Sequence, residues 1–475
     1  MNSPVTFKEK SDLEKILSAG PLTEEQADAL YRQGPEAVRF ALLTLSARLA
    51  AVEKGSAAPS LSTPSGMVPP YLKPSHPSRR KKPPGRPKGH PGVRRGPPPD
   101  IHRRVKHTLK HCPNCGSQLG PPTETRRRII EDIPEDIRPV VTEHSIDRTY
   151  CPTCKHFVEP PVTDALPGAA IGNHLLALTA WLHYGLGNTL SQIVSVLSHH
   201  LHFELTAGGL VSMWHRLAAI LDAWYDQIAQ EAKHDAVLHA DETGWRLAGM
   251  TYWLWCFCSN RVTYYIIDRC RGSPALHRFF TEAFSGTLIT DFWGAYNRIS
   301  VAARQVCLVH LFREFDDIEQ RKDTSGDWAD FSKKLRRLLG DAIRLKRRTD
   351  LAIDQYESRR NHFIPRLDEI LSTPWNNPNA RRLLKRLRRH RNDLFTFVAQ
   401  PDVSSNNNHA EREIRPAVIM RKNILGNHSE QGAHTQAVLM SIYRTLKLRG
   451  LDPIKTIADA VAEYIRSGVL PPLPS

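Results

Sequence analysis

Between residues 236 and 291 four short apolar runs commit the middle of the chain to a sheet. They are Ala236-Val237-Leu238-His239-Ala240, Thr251 to Cys258, Val262 to Ile267 and Gly286 to Thr290. All are rich in β-branched and aromatic residues and too short for core helices. The second and third follow each other as a hairpin would. Helical periodicity flanks the set on both sides, so a mixed sheet clothed by helices, an α/β architecture, is expected.

Two of these runs end on acids. His239-Ala240-Asp241-Glu242-Thr243-Gly244-Trp245 places Asp241 at the end of the first, and Thr290-Asp291-Phe292-Trp293-Gly294-Ala295-Tyr296 repeats the design at the last. Carboxylates on neighbouring strand ends suit phosphodiester cleavage, in which two Mg²⁺ (or Mn²⁺) ions roughly 4 Å apart are held by oxygen ligands. A third acid is needed. Asn406-Asn407-Asn408-His409-Ala410-Glu411-Arg412-Glu413 supplies Glu411 at the start of a helix, with asparagines ahead of it as caps. Glu413 lies on a different helical face. Arg412, Arg415, Arg421 and Lys422 follow closely enough to grip phosphates beside a cut.

The charge balance agrees with a polyanionic partner. A formal net charge of +16 with a sequence pI near 9.6 points to nucleic acid. No apolar run approaches the roughly 20 residues needed to span a bilayer, and the N-terminus lacks the apolar core of a secretion signal, so a cytosolic protein with no membrane partner is expected. In that compartment cysteines serve as thiols or metal ligands.

Cys112-Pro113-Asn114-Cys115 and Cys151-Pro152-Thr153-Cys154 are two C-x-x-C knuckles, the ligand set of a closed, structural, tetrahedral zinc site. Cys256, Cys258 and Cys270 suggest no function. Ahead of this module, residues 55–105 are rich in Pro, Gly, Ser and basic residues and read as a linker. Within it Arg86 and Lys88 sit in an extended Gly-Arg-Pro-Lys stretch suited to phosphates or a minor groove. Residues 1–54 read as a helical region, with Val38, Leu42, Leu45, Leu49 and Val52 at the seam spacing of a short coiled coil.

Residues 170–232 contain two periodic helical segments separated by a short turn with Thr206 as a cap, a candidate helix-turn-helix for DNA. A catalytic domain over 233–425 would include a basic, all-helical block at about 312–400, followed by C-terminal helices over 426–475. Trp293, Trp328 and Trp375 fit buried core positions better than base-stacking ones.

Taken together, these pieces resemble the insertion-sequence-66 family of bacterial DDE transposases over nearly the whole chain. The resemblance is carried by Gly89 to Gly92, the double C-x-x-C module, His239 to Thr243, Asp291 to Tyr296, Asn407 to Arg412 and Arg421-Lys422-Asn423. The Pro-rich stretch Lys82 to Lys88 and the loop Gly426-Asn427-His428-Ser429 depart from the family pattern. The resemblance implies an RNase H-like core with Asp241, Asp291 and Glu411 as the catalytic acids and a helical block inserted before the last. It also implies double-stranded DNA as substrate, both terminal inverted repeats and target DNA, cut and rejoined in a metal-dependent reaction. A dimer or larger assembly on DNA, accessory proteins of the same element and a place at the bacterial nucleoid would follow. Cys307-Leu308-Val309-His310 looks like the C-x-x-H element of several transposase families. As a zinc half-site it lacks partners in the sequence.

Overall fold

The computed structural model describes residues 100–475 apart from 135, 322 and 323, and, in the first hundred, 23–32, 34, 35, 38, 39, 41–43 and 45. Arg86, Lys88, the Gly89 to Gly92 segment, Leu49 and Val52 lie outside the described residues. The chain divides into two units, Met1–Pro77 and Ser78–Ser475. In the first, α1 (Glu24–Arg32) starts at a reciprocal cap in which Thr23 and Gln26 exchange side-chain hydrogen bonds to each other's backbone. Leu42 and Leu45 are helical and exposed.

In the second unit the described residues open with the cysteine module. Its short hairpin, β1 (Thr149–Cys151) and β2 (His156–Val158), carries one knuckle, and a turn closed by Cys112 N–H on Ser117 carries the other. Apolar side chains from Ile101 to Ile146 are largely exposed, so packing contributes little here.

Helices α2 (Asn173–Ala180), α3 (Leu190–Leu201) and α4 (Ala207–His234) follow. Thr189 and Gln192 form a capping box on α3, and Thr206 caps α4 through Gly209 N–H. The apolar face of α4, from Leu210 through Trp214, Leu217, Leu221 and Trp224 to Ile228, is buried in the core. Its first turn is Ala207-Gly208-Gly209, which offers no side chain long enough to read a base edge.

Five strands form the central sheet: β3 (Val237–Leu247), β4 (Met250–Cys258), β5 (Thr263–Asp268), β6 (Phe284–Thr290) and β7 (Val301–Val306), in the order β5-β4-β3-β6-β7. The first three run as an antiparallel meander, while β6 and β7 add in parallel beside β3. The β3–β4 turn is Ala248-Gly249, both at positive φ, the geometry that matches strand twist in two-residue hairpins. Helix α5 (Ser273–Phe279) makes the crossover from β5 to β6. Phe279 stacks on Phe257 of β4.

After β7 come six helices: α6 (Leu308–Gln320), α7 (Trp328–Lys346), α8 (Ile353–Asn361), α9 (Phe363–Ser372), α10 (Pro378–Arg389) and α11 (Thr396–Ala399). They have their own apolar centre, which includes Phe331, Leu335, Leu367 and Leu383, and Trp328 and Trp375 are buried in it. Where this block leaves and rejoins the sheet the chain is stitched to itself, Leu308 N–H donating to Ser405 at 2.9 Å. Then α12 (Asn408–Ile424) lies across β3 and β4, and α13 (Glu430–Leu448) packs along α4 and β5. The last helix, α14 (Pro453–Ser467), packs on α2. Among the described residues no helix is long and apolar enough to cross a membrane.

The loop Gly426 to Ser429 extends the sheet. Asn427 exchanges backbone hydrogen bonds with Arg246 and Ala248, and its side chain accepts the Trp245 indole N–H at 2.7 Å. Gly426 has φ +141, and a Cβ there would meet the Arg246 carbonyl oxygen at 2.2 Å.

Candidate active site

Asp241 does not end a strand as the sequence pattern suggests. Pairing with β4 carries β3 on to Leu247, and Asp241 sits mid-strand opposite Cys256. What does end there is the pairing with β6, which covers only Val237 to His239. Beyond that point the strands part, and Asp291 follows the last residue of β6. The local backbone holds one oxygen of each acid: Glu242 N–H donates to Asp241 Oδ1 at 2.9 Å and Trp293 N–H to Asp291 Oδ1 at 2.8 Å.

Glu411 arrives from the first turn of α12. Its charge acts on both aspartates, so residues from three separate elements meet electrostatically. Burial foremost, then the charges of Glu242, Asp291 and Glu411, push Asp241 well above the usual carboxylate range. Asp291 is raised too, chiefly by burial, against the pull of Trp293 N–H, Arg271 and Arg386. A centre that makes carboxylates this costly to ionise suits cations as companions. The oxygens of the three acids do not all lie within 4.8 Å of one another. Ligands spread around two ions about 4 Å apart would not be expected to.

A fourth acid was missed in the sequence. The Glu242 side chain is buried, accepting from the Tyr296 hydroxyl at 2.6 Å and from Arg271 at 3.0 Å. Burial and the charge of Asp291 lift its carboxyl to about 7 against those two partners. The Arg271 guanidinium is sandwiched between the Trp253 and Trp293 rings, 4.5 and 4.0 Å from their centroids. Trp293 is therefore part of the site's wall.

The start of α12 is bolted to the sheet by Asn407. Asn406 Oδ1 accepts the first-turn N–H of Asn408 at 3.0 Å, as expected of a capping asparagine, whereas the Asn407 side chain does not cap the helix. Nδ2 donates instead to the Ala240 carbonyl at 2.8 Å, and Oδ1 faces His239 Nδ1 at 2.9 Å, which makes that nitrogen the donor. Burial lowers His239 to about 4, keeping the ring neutral. Asn407 N–H donates to the sulfur of Cys307. Glu413 faces away from Glu411. It is buried in an ion pair with Arg444 of α13 at 2.7 Å and accepts from Thr263.

Of the four basic residues that follow Glu411 in the sequence reading, Arg412, Arg415 and Lys422 are exposed. Arg421 turns inward, donating to the Gly244 carbonyl and to Thr243. On α10, Arg381, Lys385 and Arg389 line one exposed face by their fourfold spacing, whereas Arg382 and Arg386 are held by the buried Glu314.

C-x-x-H is not partnerless. Cys307 and His310 lie with Glu411 in a group whose donor atoms are all within 4.8 Å, the one such trio among the described residues. The four knuckle sulfurs form no such group. Within each knuckle the turn is set, with Cys154 N–H on Cys151 Sγ, and hydrogen bonds from Ser117 lower the Cys115 thiol to about 7. Soft donors in two turned pairs fit zinc.

Comparison with known proteins places these features. The family model described as "Transposase IS66 family" matches residues 168–435, more than half the chain. The chain belongs to the IS66 transposase family. The IS66 zinc-finger model matches residues 110–155, which contain all four knuckle cysteines, and supports structural zinc there. The IS66 match runs from just before α2 into the start of α13 and so includes the sheet, the helical block and all three acids. Similar curated proteins include the uncharacterized protein y4hP of Sinorhizobium fredii, 23% identical over 422 residues, covering 78% of this chain and 74% of the relative. Another, y4qI of the same organism, is 25% identical over 267 residues, half of this chain and 49% of the relative.

Proposed function

We propose that this IS66 family member is a DNA transposase that cuts DNA strands at the ends of its element and joins the freed 3′-hydroxyl to target DNA. One observation carries the reading: Asp241, Asp291 and Glu411 come from three elements and meet as a partly buried group in which the charge of Glu411 raises the pKa of both aspartates. The strand order β5-β4-β3-β6-β7, antiparallel on one side and parallel on the other, supports an RNase H-like core with α6 to α11 as its inserted block.

The three carboxylates would hold Mg²⁺ (or Mn²⁺), which when bound activates the attacking water or hydroxyl and stabilises the leaving oxygen. The protein's own part is placement. Backbone N–H groups of Glu242 and Trp293 orient one oxygen of each aspartate, and Asn407 fixes α12, and so Glu411, against β3. Arg271, locked between two indoles, keeps Glu242 from crowding the aspartates with a second mobile acid. Arg412, Arg415 and Lys422 are placed to meet phosphates beside the cut, with Arg381, Lys385 and Arg389 extending the track and Arg86 and Lys88 contributing from the linker. Arg421 acts as a brace. Pairing two ends calls for a dimer or larger assembly on nucleoid DNA.

The test is incubation of the protein with labelled end DNA, a target plasmid and Mg²⁺, beside Asp241→Ala, Asp291→Ala and Glu411→Ala. Nicking and joining by the parent, lost in all three while DNA binding persists, is expected. Binding with no cleavage under any divalent cation would replace this reading with a non-catalytic DNA-binding one.

A further inference from the structure

We propose that Cys307, His310 and Glu411 form a second zinc site, separate from the cysteine knuckles, which shares Glu411 with the strand-cutting centre. The last clause rests on the proposed function; the site itself does not.

The trio is built from two helix starts. Cys307 precedes α6, its N–H on the Thr290 carbonyl, and its sulfur receives the Asn407 N–H at 3.2 Å. His310 follows three residues later, on the same side of the first turn. Glu411 comes in from the first turn of α12, with Oε1 3.6 Å from His310 Nε2. Asn407 thus fixes both helix starts to one point of the sheet, between the strands that carry Asp241 and Asp291.

The three side chains already face one another, His310 meeting both the Cys307 thiol and Glu411, yet two of their atoms are left without a hydrogen bond. Both His310 Nδ1 and Glu411 Oε1 are buried and have no hydrogen-bond partner, while Arg313 lies 3.5 Å from the other glutamate oxygen, Oε2. Unsatisfied buried polar atoms are uncommon, and an ion is one of the few things that satisfies several at once. The donor set selects the ion. A thiolate, an imidazole and a carboxylate with a fourth position left to water is a zinc ligand set, whereas magnesium shuns sulfur and demands oxygen.

Sharing Glu411 makes the two sites exclusive. Zinc held by Cys307 and His310 draws on the carboxylate that the aspartate-bound ions need, so zinc acts as a brake on cutting and its removal as a release.

The full chain, loaded with zinc and dialysed, tests this by metal counting. The parent should hold about two zinc ions per chain, and Cys307→Ser and His310→Ala about one each, with folding followed by circular dichroism. The double knuckle variant Cys112→Ser/Cys151→Ser should keep about one, and with cobalt in place of zinc show a thiolate-to-metal band that Cys307→Ser added to it abolishes. That band decides the matter even if a single variant fails to fold. A parent count of about one, unchanged by Cys307→Ser and His310→Ala, with no cobalt band in the knuckle variant, overturns the proposal. Mg²⁺-dependent cutting of end DNA measured alongside separates the two readings. Two zinc ions without cutting would keep the site and remove the transposase; cutting that added zinc does not slow would remove the brake.

Discussion

Asn407 reaches from the first residue before α12 to the carbonyl of Ala240, the residue before Asp241. This 2.8 Å bond joins the elements that carry the third and first acids, and the same amide holds His239. Asn407→Ala leaves two buried partners unsatisfied and should cost about 1–3 kcal/mol in urea unfolding. The loss of strand cleavage per folded molecule should be larger than stability explains, tenfold or more at a displacement of about 1 Å. Full cleavage by a folded Asn407→Ala protein would show that α12 is positioned by other contacts.

Three acids that repel one another destabilise the fold that gathers them. Asp241→Asn should therefore raise the melting temperature by a few degrees in chelator, roughly the effect of 1 kcal/mol, while abolishing cleavage. Adding Mg²⁺ should raise the parent's melting temperature and leave the variant's nearly unmoved. Calorimetry in EDTA and in Mg²⁺ checks both signs, and a variant that melts below the parent in EDTA would count against the repulsion.

Glu413 is the contrasting case, an acid two residues from Glu411 with a structural task. Glu413→Ala strands Arg444 in a buried setting and should cost about 3–5 kcal/mol. DNA cleavage per folded molecule should survive at low temperature. Equal loss of cleavage in Glu411→Gln and Glu413→Gln at matched folded fraction would argue that the two acids share the chemistry.

Gly426→Ala drives a methyl group into the Arg246 carbonyl at a φ that side chains avoid. The loop must leave the sheet edge, taking the Asn427–Trp245 bond with it. A loss above about 3 kcal/mol is expected by chemical denaturation, and a near-neutral result would mean that the clamp is dispensable.

Chelating zinc should loosen the fold chiefly in the cysteine module. Residues 106–160 have little buried apolar surface of their own, so limited proteolysis after prolonged chelation should open cuts there first. Protection of that segment in the metal-free protein would show that something besides zinc holds it.

Much of the sheet was legible because strands announce themselves in a few consecutive residues. Thr251 to Cys258 and Val262 to Ile267 nearly coincide with β4 and β5. The acids were legible because each lies in a short motif. What escaped is written across distance. Glu242, Trp253, Arg271, Trp293 and Tyr296 touch only because β3, β4, the β5–α5 loop and the β6–β7 connection converge, and no local pattern encodes that. The partner of Cys307 and His310 stands about a hundred residues away, beyond the whole helical block. Arg421 resembles its exposed neighbours in sequence, and only the register of α12 on β3 turns it inward.

The stitch between Leu308 and Ser405 also bears on how such a molecule can change over evolutionary time. A segment of nearly a hundred residues departs and returns at neighbouring points of the sheet; its end from Leu394 to Gln400 is hydrogen-bonded to Arg304, Gln305 and Thr287, while lengthening the helices farther out costs only the slow logarithm of chain closure. The acids on either side keep their spacing when those outer helices vary. Lineages can therefore remodel the outer helices without renegotiating the site, and a foreign helical segment is best grafted there, inside the bonds that hold Leu394 to Gln400 on the sheet.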